Sequence, residues 1–176
     1  LNQAEFASLF KDFLEKMAVR YAEGRLFTEE DIIKKYGDIP VYAFNFIDYI
    51  LWKNREELGR KYKGVKFDHF KFAYRRSIEH WFPQHPNSDE KIEKMDDQFL
   101  HSFGNLCIIT DSQNSKFGNL VPSAKYKQWE GIFDRQSLKL QTMANITEKT
   151  KWESYQIKGL EKEILPMVKR FIESKS

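Results

Sequence analysis

The sequence has a single cysteine, Cys107, which excludes an internal disulfide and any zinc site built from several thiolates. It has no apolar run approaching the roughly 20 residues that cross a bilayer, and no signal-peptide pattern opens the chain. A reducing, cytoplasmic setting without membrane insertion is the expectation. It also lacks a Gly-rich phosphate loop of the Walker type, an internal repeat and a low-complexity tract. Neither sign of charge dominates: 29 basic residues face 26 acidic ones, so net charge selects no partner. Apolar residues at 41 % and aromatics at 15 %, with Phe the commonest aromatic, describe a folded chain and argue against disorder. Its 176 residues suit one compact domain with a real core rather than two. The first residue is Leu1 rather than Met, from which a larger parent protein is expected.

Local charge says more than net charge. Arg60, Lys61, Lys63, Lys66, Lys71, Arg75 and Arg76 are interleaved with Tyr62, Phe67, Phe70, Phe72 and Tyr74, and Lys116, Lys125, Lys127 and Arg135 follow. Such a segment is either a phosphate-facing surface or an ordinary solvated face.

Phe6, Leu9, Phe10, Phe13, Leu14, Met17 and Tyr21 fall at helical spacing and predict a first helix ending near Gly24. Thr28 with Asp31 predicts the start of a second, stopping at Gly37. Asp38-Ile39-Pro40 opens a third, carried by Val41, Phe44, Ile47, Ile50 and Leu51 towards Gly59. From Phe67 the period changes to alternation, and Ser77 to Phe82 reads as a strand ended by Pro83. A polar stretch from Gln84 to Gln98 reads as a long loop. Leu106 to Ile109 then forms a second strand, and Asp111 or Ser112 caps a short helix bearing Asn114 and Lys116. Helices are predicted over Ala124 to Phe133, Leu138 to Ile146 and Trp152 to Phe171, with Pro166 kinking or restarting the last. The fold class is thus α+β and mostly helical: a helical scaffold over 1–62, a strand–strand–helix core over about 70–123, and C-terminal helices over 124–176.

Three pieces carry candidate chemistry: SIEHWFPQHP at 77–86, GNLCIIT at 104–110 and DSQNSKFGNLVPS at 111–123. A metal-dependent phosphodiesterase needs a base to activate water and oxygen ligands that hold a hard cation against the phosphate. Glu79 and Asn114 offer oxygen donors and His80 adjoins the first. Neighbouring side chains on a strand point to opposite faces, so Glu79 and His80 share one site only if the strand end bends or the site wraps its edge.

These ordered pieces resemble the HNH (His-Me finger) nucleases, and most nearly the C-terminal domain of GmrSD-type restriction endonucleases. The resemblance rests on Glu-His-x-x-Pro-Gln at 79–84, Gly-Asn-Leu at 104–106 and Asn-Ser-Lys at 114–116. It implies a ββα-metal finger in which His80 is the general base, Glu79 and Asn114 are metal ligands, and Asn105 fixes the loop that orients His80. A neutral imidazole can accept a proton near neutral pH. Lys116, Arg75, Arg76 and Lys125 are the phosphate-contact candidates, and His85 packs beside or supports the site. Many HNH enzymes carry Asp where this chain has Glu79. A carboxylate and an amide without thiolate favour one Mg²⁺ or Mn²⁺ ion over zinc. The implied activity is endonucleolytic hydrolysis of DNA in a restriction or defence protein with a nucleotide-hydrolysing domain upstream.

Plainer readings stand beside these. The finger could bind nucleic acid without cutting it, or the chain could be a helical interaction domain whose motifs are accidental. His69 and His101 carry no motif and read as structural, Asn119 reads as a turn residue, and Cys107 reads as core. The acids Asp89, Glu90, Glu93, Asp96 and Asp97 have irregular spacing and read as a solvated loop.

Overall fold

The computed structural model describes residues 2–22, 34–87 and 91–174. Among these the helices are α1 (Gln3–Ala22), α2 (Val41–Lys53), α3 (Arg55–Lys61), α4 (Asp97–Leu100), α5 (Asp111–Phe117), α6 (Pro122–Trp129), α7 (Leu138–Lys149) and α8 (Ser154–Glu173). Two strands, β1 (Ser77–His80) and β2 (Leu106–Ile109), pair antiparallel with Ser77 opposite Ile109, Glu79 opposite Cys107 and His80 opposite Leu106. The fold is α+β and mostly helical with one small two-stranded sheet. The helix expected from Thr28 lies largely outside the described residues. No described helix is long and apolar enough to cross a membrane.

α2 is mostly apolar, and Phe44, Phe46, Ile47, Tyr49, Ile50 and Leu51 are all buried together with Asn45 and Asp48, as an interior helix requires. α7 is buried almost as completely from Leu138 to Asn145. α8 is one-sided instead: Ile157, Leu160, Ile164, Val168 and Phe171 face the core at helical spacing. Its Pro166 neither restarts nor ends it; the helix continues to Glu173. Pro166 and Lys162 are both exposed, so the carbonyl deprived of its helical partner faces water.

Other boundaries also differ from the sequence reading. The alternating residues Phe70 to Arg76 form no ladder, so β1 starts only at Ser77. Thr110, rather than Asp111 or Ser112, caps α5 by accepting from the Gln113 amide at 3.3 Å. Asp111 is instead drawn to Ser77 and Arg76. Within the expected loop, Asp96 accepts from the Gln98 amide at 3.0 Å and starts α4.

Gly104 explains how the turn before β2 meets the last helix. A Cβ there would lie 2.4 Å from the Ile157 carbonyl oxygen, and the Gly104 amide donates to Glu161 Oε1 at 2.8 Å. Any side chain would push this turn off α8. Below it Lys139, fully buried, donates to the Phe103 carbonyl at 2.8 Å and to the Leu106 carbonyl. Burial pushes that ammonium down to about 8.

Candidate active site

β1 ends at His80, and the chain after it is held to β2 by Asn105. The Asn105 amide is fully used: Oδ1 accepts from Phe82 N at 2.9 Å and from Trp152 Nε1 at 3.0 Å. Its Nδ2 donates to the Phe82 carbonyl at 3.0 Å and to the Leu100 carbonyl at 2.9 Å. Trp81 N adds a bond to the Asn105 carbonyl at 2.9 Å. Asn105 is therefore a buried clamp on the residues that follow His80, and it does not touch the imidazole.

Two faces of β1 carry two different environments. On one, Glu79 meets Lys125 of α6: Nζ lies 2.5 Å from Oε1 and also donates to the His80 carbonyl at 2.7 Å and the Trp81 carbonyl at 2.9 Å. An ammonium has three N–H groups, and these three oxygens use them all. Burial pushes the Glu79 carboxyl up and the Lys125 ammonium down, and the charge of each partner opposes the shift in the other.

On the other face, His80 Nε2 lies 3.1 Å from His101 Nδ1, and its Nδ1 lies 3.4 Å from Gln84 Nε2. Tyr36 covers the pair, edge-on to His80 with centroids 4.5 Å apart and nearly parallel to His101 at 6.2 Å. Burial, then repulsion from His101 and Lys125, lowers His80 to about 4, so its imidazole is neutral at neutral pH.

Asn114 is exposed on α5, whose start is tied to β1 by Asp111 with Ser77 and Arg76. The Glu79 carboxylate faces Lys125 rather than an open position beside Asn114. Among the described residues, no three His, Cys, Asp or Glu side chains are placed to hold a metal ion. A divalent cation at Glu79 would adjoin a buried ammonium, so these side chains as arranged do not fit one.

Two phosphate-contact expectations require correction. Lys125 is 0 % exposed and spends its N–H groups internally. Arg75 is also buried, donating to the Ala73 and Arg135 carbonyls at 3.2 and 3.1 Å and lying over the Phe70 ring. Both cations hold the fold together from within. Arg76 is exposed but engaged with Asp111, and Lys61 and Lys66 pair with Glu163 and Asp134. Tyr62, Phe67 and Phe72, part of the interleaved aromatic set, belong to the core. Lys116 is exposed, with Nζ 5.8 Å from the Trp129 ring. His85 is exposed as well. Cys107 is buried, as expected of a core residue.

Residues 27–166 match the family of GmrSD restriction endonucleases, C-terminal domain. The chain belongs to this family. The match spans both strands, α5 and Lys125, so the buried Glu79–Lys125 pair and the His80–His101 pair lie inside the GmrSD C-terminal domain. No match was found among curated proteins or among solved structures. Membership identifies a nuclease-related domain of the restriction endonuclease class. His101, Tyr36 and Gln84 were not singled out by sequence as site residues. Gln84 closes the Glu-His-x-x-Pro-Gln motif without a role of its own there, whereas His101 stands three residues before Gly104, a spacing that carries no signal without the turn that brings it to His80.

Proposed function

We propose that the chain is an HNH endonuclease domain that hydrolyses phosphodiester bonds in DNA, with His80 as general base. The observation carrying this reading is the His80 imidazole at the end of β1, within a strand–strand–helix unit that falls in the family match. The ββα finger is this unit: β1, β2 and α5. If the Gln84 amide nitrogen donates to His80 Nδ1, the proton resides on Nε2 and is directed at His101 Nδ1. The Nδ1 lone pair then faces Gln84, an exposed side chain whose contact to it is long, at 3.4 Å. A water that displaces the amide there gives one proton to Nδ1 as its oxygen bonds to phosphorus. The bond from phosphorus to the leaving sugar oxygen breaks, and that oxygen takes a proton from solvent. Asn105 keeps the segment after His80 in register with β2, and Lys116, exposed beside the Trp129 ring, is the cation that meets a phosphate.

Dependence on one Mg²⁺ or Mn²⁺ ion enters this proposal from the resemblance, with Glu79 and Asn114 as its implied ligands. Glu79 as it stands is neutralised by Lys125. The same observation favours a second reading, a nucleic-acid-binding module that does not cut. An upstream nucleotide-hydrolysing domain and a role in restriction or defence follow from the resemblance alone.

Incubation of supercoiled plasmid with the chain in Mg²⁺, Mn²⁺ or EDTA separates the readings. Nicking that EDTA abolishes supports the metal-dependent enzyme. Nicking that survives EDTA removes the ion from the proposal, and binding without nicking in either metal supports the module.

A further inference from the structure

His101 has no motif, yet its side chain lies closer to the His80 imidazole nitrogens than that of Gln84, at 3.1 Å against 3.4 Å. Its ring nitrogen Nδ1 lies 3.1 Å from His80 Nε2, and the two rings stand nearly perpendicular with centroids 5.2 Å apart. That geometry points one N–H at one lone pair rather than stacking two faces. Several contacts place His101 independently of His80. Its backbone closes α4, donating to the Asp97 carbonyl at 3.2 Å, and its carbonyl accepts from the Tyr36 amide at 2.8 Å. Tyr36 then lies almost parallel to the ring. Among the described residues, the second His80 nitrogen meets Gln84, at 3.4 Å.

We propose that His101 is a positioning residue for His80: its Nδ1 accepts the His80 Nε2 proton and thereby keeps the His80 Nδ1 lone pair turned towards the attacking water. The proposal rests on the reading of His80 as base. A neutral imidazole has two tautomers, and only one presents a lone pair at a given nitrogen. An acceptor held rigidly at Nε2 removes the wrong tautomer and fixes the ring plane, as the outer partners of other working histidines do. Tyr36 closes the site over both rings and limits the orientations in which His101 can serve.

The full chain, with its histidine rings labelled with ¹⁵N, reports the tautomer of His80 directly through nitrogen–proton correlations at neutral pH. In the wild type, the proton should reside on Nε2. His101→Phe keeps an aromatic ring against Tyr36 but removes the acceptor, and His80 should become a mixture of tautomers. His101→Asn places a carbonyl oxygen about where Nδ1 stood and should restore the Nε2 form. On plasmid substrate, His101→Phe should lower kcat by about 10- to 100-fold with KM nearly unchanged, and His101→Asn should recover most of that loss. An unchanged tautomer in His101→Phe overturns the proposal, and so does a shifted tautomer with wild-type kcat. The spectra decide the His80–His101 link even if the wild type does not cut, a result that would count against the nuclease reading instead.

Discussion

Lys125 Nζ lies 2.5 Å from Glu79 Oε1, with the lysine side chain 0 % exposed and that of the glutamate 8 % exposed. The pair joins α6 to the strand that carries His80, and the same ammonium holds the His80 and Trp81 carbonyls. Removing one member of a buried ion pair strands the other in a medium that solvates it poorly, at a cost of about 3–5 kcal/mol. Lys125→Met should therefore lower unfolding stability in urea by that amount. Combining it with Glu79→Leu should cost less than the two single changes added together. Simple additivity would mean that the two side chains do not interact.

Asn105→Ala leaves Phe82 N, the Phe82 and Leu100 carbonyls and Trp152 Nε1 without their partner. Each buried polar group left unsatisfied costs about 1–3 kcal/mol before relaxation and water entry. A loss of about 3–5 kcal/mol is expected on urea unfolding. A change below about 1 kcal/mol would contradict the clamp described for this residue.

The low pKa of His80 makes stability depend on pH in a definite direction. The folded value is about 4 against 6.5 for the free side chain. Between these values the unfolded chain binds the proton more readily, so acid favours unfolding. The stability due to neutral His80 is complete above about 6.5 and is lost as pH falls towards 4, amounting to about 3 kcal/mol. Urea midpoints measured from pH 7.5 to 4 should show this slope, and His80→Gln should remove that part of it.

Lys116 is the exposed cation among the site candidates whose contact is with an aromatic ring rather than an acid. If it meets a phosphate, Lys116→Ala should weaken DNA binding at low salt and reduce the slope of log K against log salt by about 1. Lys125 and Arg75 are buried, and conservative changes there should leave the slope unaltered once folding is verified.

Period and composition made the helical scaffold legible: α2 and α8 follow directly from where Phe, Ile, Leu and Val recur. Both strands and α5 were legible because β-forming runs stood between Pro83, Gly104 and a Thr-Asp-Ser capping sequence. Identity alone could not show which cations face inward. Lys125 and Arg75 read as surface charges until Glu79 and the backbone carbonyls around them are in place. Likewise, His101 becomes a neighbour of His80 only when Asn105 closes the turn between them, a contact 21 residues apart in sequence. The restart expected at Pro166 does not occur for a local reason, since an exposed carbonyl can turn to water and let the helix continue.

The central claim is that His80 takes a proton from water during phosphodiester cleavage. It is tested most directly by the rate at which wild type and His80→Ala nick supercoiled plasmid in Mg²⁺ or Mn²⁺, with urea unfolding verifying that both chains are folded. Nicking by the wild type and a loss of about 100-fold or more in the variant are expected. Equal rates in the two proteins would contradict the claim.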